Sequence, residues 1–398
     1  MSGQSWQIKI NVLILSFCLA MAMTGASLIV TMAALAGQSL AVDKSLATLP
    51  IASQFTATML VTIPASFLMS KLGRRVGFTI GQFIGLFGTA LAAYSIFIMS
   101  FWLFIIASAL IGAHNSFWQY YRFAAAEVAG PEFKAKAISY VLAGGVLAAI
   151  LGPQIAKWSV DWFSPILFMG GYVAVSVLNI ITILVIQMIK MPLTHSETEN
   201  PKGRPLIEIM RQPVFIGAVV SGMFGYGIMT LVMTATPLAM QFCGYGFSDT
   251  ATIIQLHAIA MFSPSFITGH LIKRFGVSSI IIVGVILNLI CMAVNMAGVT
   301  FFDFMVGLIF LGVGWNFMFV GGTTLLTESY KANERSKVQA ANDFIVFSTV
   351  AFLSFSSGLI QEVLGWFYVN IMILLPMVIT LCIIFWLNNS KKQFKIRP

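Results

Sequence analysis

The sequence predicts an all-α membrane protein of twelve transmembrane helices, arranged as two pseudo-symmetric six-helix halves. Three observations carry this. Of the 398 residues 59% are apolar and only 9% charged, against about 25% charged in a soluble protein. Apolar stretches of about 20 residues, the length needed to cross a bilayer, recur along the whole chain. The two halves of the chain also match each other at a nearly constant shift. So few charges could not cover the surface of a soluble globule, which excludes a soluble enzyme, a disordered chain and a nucleic-acid binder despite the net charge of +9.

In chain order the predicted helices lie near 10–36, 47–69, 76–98, 101–128, 137–156 and 164–188, then near 213–240, 248–272, 277–299, 302–327, 340–361 and 366–387. The first run is longer than the roughly 7–15 residues of a signal-peptide core and reads as a retained helix. The alternating ten-residue pattern of a membrane barrel is absent. Between the sets lies KMPLTHSETENPKGRPLIEIMRQ, whose mixed charge, Pro and Gly read as a solvated linker. The expected organisation is therefore a half at 1–189, a linker at 190–212, a second half at 213–388 and a tail at 389–398.

Basic residues decide orientation. Lys71, Arg74, Arg75, Arg122, Lys190, Arg211, Lys273, Arg274, Lys331, Lys337 and the tail lysines share one side, with Lys44 and Lys157 opposite. Both termini are thus expected to be cytoplasmic, in the inner membrane of a bacterial cell. Cys18, Cys243, Cys291 and Cys382 are scattered, without metal-ligand spacing or a disulfide framework. No metal and no cofactor is expected.

The internal match runs at about 201–203 residues. Leu28, Thr31, Leu35, Ala36 and Gln38 recur as Leu231, Thr234, Leu238, Ala239 and Gln241; Lys71 and Gly73 recur as Arg274 and Gly276; Asn115 and Glu127 recur as Asn316 and Glu328. Six helices repeated in one orientation is the pattern of carriers whose halves are related about the membrane normal.

The segment SFLMSKLGRRVG, Ser66 to Gly77, resembles the Gly-x-x-x-Asp-Arg-x-Gly-Arg-Arg signature of the major facilitator superfamily, and GHLIKRFG, Gly269 to Gly276, resembles its second copy. Ser70 and Lys273 stand where that family has an acidic residue, so the latch this carboxylate forms must differ here. AAILGPQIA, with Gly152 and Pro153, resembles an incomplete antiporter motif in which Ala148 and Ala156 replace glycines. The resemblance implies alternating access, with helices one, four, seven and ten lining a central cavity.

On helix four, Asn115, Trp118, Gln119 and Arg122 share a face at i, i+3, i+4 and i+7. They suit a flat or anionic organic solute through stacking and a charge-assisted bond; equally, Arg122 reads as a cation snorkelling to the interface. Helix seven offers Thr234 and Gln241, and helix ten Trp315 with Asn316, which the repeat pairs with Asn115 across the cavity. Thr24 and Thr31 read as hydroxyls bonded to their own helix. No Asp or Glu falls in mid-span, so proton coupling rests on His114, His257 or the helix-end Asp343. For gating, Glu127 and Glu328 are expected to pair with Arg74, Arg75 and Arg274, beside Lys71.

The function expected is a secondary active transporter, not an enzyme. Its solute is a small aromatic, heterocyclic or anionic metabolite, its surroundings are lipid, and it is monomeric. Multidrug or siderophore efflux is the alternative within the same fold, and a non-transporting receptor the remote one.

Overall fold

The computed structural model describes residues 2–121, 124–125, 144–189, 203–331 and 334–395. These form helices joined by turns, with no strand among the described residues. The chain divides into two compact units, Met1–Glu197 and Thr198–Pro398.

The first unit contains α1 (Ser2–Leu40), α2 (Leu49–Leu72), α3 (Arg74–Phe97), α4 (Phe101–Trp118), α5 (144–159) and α6 (Met169–Ile186). In it α4 packs on α2 and α3, and α6 on α3 and α1. The second contains α7 (Leu206–Met210), α8 (Pro213–Phe242), α9 (Phe247–Phe262), α10 (Ser265–Phe275), α11 (Val277–Ala297), α12 (Phe301–Glu328), α13 (Arg335–Val363), α14 (Trp366–Ile371) and α15 (Leu374–Lys395). Here α12 packs on α8, α9 and α11, and α13 on α8. Among the described residues ten helices are long and apolar enough to cross a membrane, and the bent pair α9 and α10 makes up to an eleventh. The chain is an all-α membrane protein with about twelve helices.

Local chemistry explains where the helices depart from the expected boundaries. The span expected at 248–272 is broken after Phe262 and bends by 41°. Pro264 stands at the break; it has no N–H to donate and its ring crowds the preceding turn. The span expected at 366–387 is likewise split, into α14 and α15, with a turn at Met372 and Ile373. The sixth begins at Met169 rather than 164, because 160–168 run as turns. Helix α4 is regular only to Trp118, followed by a turn at Gln119 and Tyr120.

Two pairs of glycines show the repeat in the backbone. Gly73 and Gly276 both adopt φ +83° and both start the following helix, α3 and α11. In that left-handed region a Cβ is strained, so each motif loop closes on glycine. Gly112 on α4 faces the backbone of α2: a Cβ there would stand 2.2 Å from the Gln54 carbonyl oxygen. Gly312 on α12 faces α9 in the same way, 2.7 Å from the carbonyl of His257.

These geometries separate two kinds of glycine. Gly276→Ala meets no atom within 4 Å, so it should cost only the conformational strain of about 1–2 kcal/mol. Gly112→Ala must instead push α2 from α4, and should lower the melting temperature in detergent by clearly more than Gly276→Ala. Equal shifts would contradict the close crossing.

Candidate functional site

In the first unit the end of α4 presents a polar, aromatic face. Asn115 Oδ1 accepts a hydrogen bond from Trp118 Nε1 at 2.9 Å, fixing the indole one turn further along. Gln119 caps the helix beside them. All three are half-buried. Arg122 and Glu127 lie outside the described residues.

His114 points elsewhere. Its Nδ1 lies 2.9 Å from the Gly81 carbonyl on α3; since a carbonyl only accepts, Nδ1 carries the proton and Nε2 the lone pair. The ring lies against Gly85, where a Cβ would sit 2.7 Å from its Cγ. His114 and Asn115 line a cavity of about 10 Å³ with Met21 and Gly25 of α1, Thr89 of α3 and Asn179 of α6. That is room for a single water. Thr89 Oγ1 lies 2.8 Å from Ser176 Oγ and accepts from Asn179 Nδ2 at 3.4 Å.

The second unit gathers five aromatic rings from four helices. Tyr226 of α8 meets Trp315 and Phe319 of α12 and Phe347 of α13 edge-on, with centroids 5.8, 5.5 and 5.9 Å away. Trp315 and Phe319 stack at 5.2 Å and 10°, and Phe262 at the end of α9 meets Trp315 at 6.1 Å. Along α8, about one and two turns beyond Tyr226, the hydroxyls of Thr230 and Thr234 are buried without a hydrogen-bond partner among the described residues, as is the Nε1 of Trp315. Such a group costs about 1–3 kcal/mol when left unpaired. Gln241 is exposed at the end of α8. The sequence had pointed to Trp315 and Thr234 but not to Tyr226, Phe262, Phe319 and Phe347; 34 phenylalanines in one chain hide the few that converge.

Asn316 is 0% exposed. Its Nδ2 donates to the Met261 carbonyl and to Ser265 Oγ, and its Oδ1 accepts from Thr268 Oγ1, all at 2.7 Å. At the break between α9 and α10, Asn316 takes up the Met261 carbonyl and the hydroxyls of Ser265 and Thr268. The glycine contacts set the match one residue away from the sequence alignment: Ser116, not Asn115, stands where Asn316 does, and it donates to the Thr58 carbonyl of α2, which runs unbroken from Leu49 to Leu72.

His257 is also 0% exposed; its Nδ1 donates to the Leu308 carbonyl at 2.8 Å and its Nε2 has no partner among the described residues. Asp343 is exposed on α13 and accepts from Asn342 at 3.0 Å. Of the residues expected to gate, Lys71 lies over the Phe67 ring at 4.4 Å, Arg74 over Tyr120 at 5.7 Å and Arg274 over Phe275 at 5.2 Å. Arg75 donates to Gln187 at 3.2 Å, and Glu328 is exposed at the end of α12.

An ion pair that the sequence did not point to joins Arg204 and Glu334. Glu334, 1% exposed, accepts from Arg204 Nη2 at 2.7 Å, Arg204 Nε at 3.0 Å and Arg204 N at 2.8 Å, and from Lys331 N at 3.0 Å. Lys337 Nζ donates in turn to the Arg204 carbonyl. Gly203 is needed beside it, since a Cβ there would stand 2.6 Å from Glu334 Cγ. The Arg204 guanidinium and the Lys331 amide hold the Glu334 carboxyl well below the usual carboxylate range. A lone Arg in a linker and a lone Glu 130 residues later leave no pattern in the sequence.

A model described as Major Facilitator Superfamily matches residues 14–354. The riboflavin transporter RfnT of Brucella anthropi is 39% identical over 362 residues, spanning 90% of this chain and 91% of the relative. The uncharacterized MFS-type transporter YddS of Bacillus subtilis is 26% identical over 365 residues, spanning 86% and 82%. Among solved structures, a mutant of the nucleoside transporter NupG aligns with a TM-score of 0.72 at 14% identity, covering 96% of this chain and 99% of the other. At that identity the likeness speaks for the fold alone.

The Glu334 clip yields a pH-dependent prediction. A carboxyl whose folded-state pKa is depressed contributes stability above its unfolded value, and this is lost as pH falls through the folded value. The melting temperature of Glu334→Gln should therefore lie below wild type by a constant amount from about pH 5.5 to 8, above the ordinary Glu range. The gap should narrow only in strong acid, below about pH 4. A gap that closed near neutrality would contradict the pairing.

Proposed function

The chain belongs to the major facilitator superfamily and is a multi-pass membrane transporter of a small solute, and from that premise we propose that the solute is riboflavin or a flat heteroaromatic compound of its kind. The observation that carries this reading is the 39% identity, over nine-tenths of both chains, to a riboflavin transporter. The transporter works by alternating access in the bacterial inner membrane, with both termini cytoplasmic, as the distribution of basic residues supports.

The chemistry of the second unit agrees with such a solute. A tricyclic ring offers two flat faces and a polar edge of carbonyl and N–H groups. Stacked Trp315 and Phe319, with Tyr226 and Phe262 beside them, match the faces; aromatic stacking on a base is worth about 1–3 kcal/mol. Trp315 Nε1 and the hydroxyls of Thr230 and Thr234, unpaired otherwise, match the edge. In the first unit Asn115, Trp118, Gln119 and Arg122 offer the same combination of ring, amide and cation. Among the proton-coupling candidates His114 is favoured by the cavity it lines.

Quenching of riboflavin fluorescence by the purified protein, and counterflow of labelled riboflavin in proteoliposomes, test this directly. Both should be saturable and displaced by unlabelled riboflavin. Trp315→Ala should weaken binding at least about tenfold, the loss of one stacking platform, and Thr234→Val by a smaller factor. Displacement by lipophilic cationic dyes, indifferent to Trp315→Ala, would replace this reading with multidrug efflux. Binding without counterflow would point to a receptor.

A further inference from the structure

The joint between α9 and α10 is held by a side chain that is next in sequence to the aromatic site. Pro264 leaves the last turn of α9 without its regular donors. Asn316 reaches in from α12, donating to the Met261 carbonyl before the break and to Ser265 Oγ after it, and accepting from Thr268 one turn into α10. One amide thus grips both sides of a 41° bend. Trp315, its neighbour, stacks on Phe319 and meets Phe262, the last residue of α9. Helix α10 carries Lys273 and Arg274 in its last turn and ends on Gly276. The two-sided grip is a feature of the second unit: in the first, Ser116 at the matching place makes one bond, to the Thr58 carbonyl, and α2 continues through Pro64 without a break.

We propose that Asn316 is a positioning residue that couples occupancy of the aromatic site to the angle between α9 and α10. The proposal rests on the riboflavin reading for the identity of the occupant. A ring inserted beside Trp315 displaces that indole against Phe262 and so moves the end of α9. The three hydrogen bonds of Asn316 make α10 follow, and with it the basic turn at Lys273 and Arg274. The coupling requires that this bend, set by proline and tied by one amide, take a second angle when the site fills. Asn316 itself, fully buried and fully engaged, does not touch the solute.

The test separates binding from turnover. In Asn316→Ala the riboflavin Kd should stay within about threefold of wild type, while counterflow falls at least about tenfold, the signature of a lost step after binding. Hydrogen exchange of the α10 amides should slow when riboflavin binds wild type, and this response should vanish in Asn316→Ala. Binding and counterflow falling in parallel, or counterflow unchanged, would overturn the proposal. Should Asn316→Ala not fold, Thr268→Val and Ser265→Ala each remove one tie; each should slow counterflow more than it weakens binding, and wild-type counterflow in both would overturn it. If wild type neither binds nor exchanges riboflavin, the substrate reading fails. The joint is then decided by α10 exchange in the absence of solute: faster in Thr268→Val supports it, unchanged overturns it.

Discussion

Inside a bilayer no water stands ready to accept a hydrogen bond, and this constraint orders the whole structure. The polar side chains of the spans divide by how they meet it. Thr24 and Thr31 of α1, Thr182 of α6 and Thr236 of α8 donate to the carbonyl four residues back, at 2.7–2.8 Å. They satisfy themselves and tie no helix to another. Thr58 and Ser116 act differently: Thr58 Oγ1 lies 2.8 Å from both the Gln54 and the Gly112 carbonyls, and Ser116 Oγ donates to the Thr58 carbonyl at 2.9 Å. Those bonds stitch α2 to α4 where Gly112 lets the two backbones approach.

The repeat sets the frame and then departs from itself at the polar positions. Gly73 with Gly276 and Gly112 with Gly312 keep the same work in both units, the first pair a positive-φ turn and the second a close helix crossing. The polar side chains do not. Matched by those glycines, Ser116 and Asn316 both reach a carbonyl of the neighbouring helix, at Thr58 and at Met261, but Asn316 also ties Ser265 and Thr268 beyond a break. The difference originates in the partner: α2 runs unbroken past Thr58, whereas α9 stops after Phe262 and α10 brings Ser265 and Thr268 within reach. A side chain's role here is decided by which groups its neighbour presents.

That dependence also marks what could be read from the sequence. Composition, span length and the duplicated GRR and KRFG loops made the helical membrane architecture and the family resemblance legible, since each is a local or periodic property. The closing glycines were visible as motif letters, though their left-handed backbone was not. The breaks at Pro264 and at Met372 were not visible, because proline in a span is tolerated at Pro64 and Pro237 and interrupts only at some positions. The aromatic group around Trp315 needs α8, α9, α12 and α13 brought together, which no spacing along the chain encodes. Arg204 and Glu334 meet across 130 residues for the same reason.

Placed side by side, the two units differ in how much polarity they leave uncommitted. In the first, the Trp118 indole is taken by Asn115 and the Tyr121 hydroxyl accepts from Gln82 at 2.8 Å. In the second, Asn316 is fully used one residue away from Trp315, whose own N–H goes unpaired, as do Thr230 and Thr234. Each of these costs about 1–3 kcal/mol in the structure as it stands. On the proposed reading, a solute whose edge pairs with them recovers that energy on binding, while an apolar ring of the same outline stacks without recovering it. Discrimination among flat solutes would then come less from the rings, which accept any π-face, than from these three groups, because a site built to hydrogen-bond rejects what leaves it unpaired.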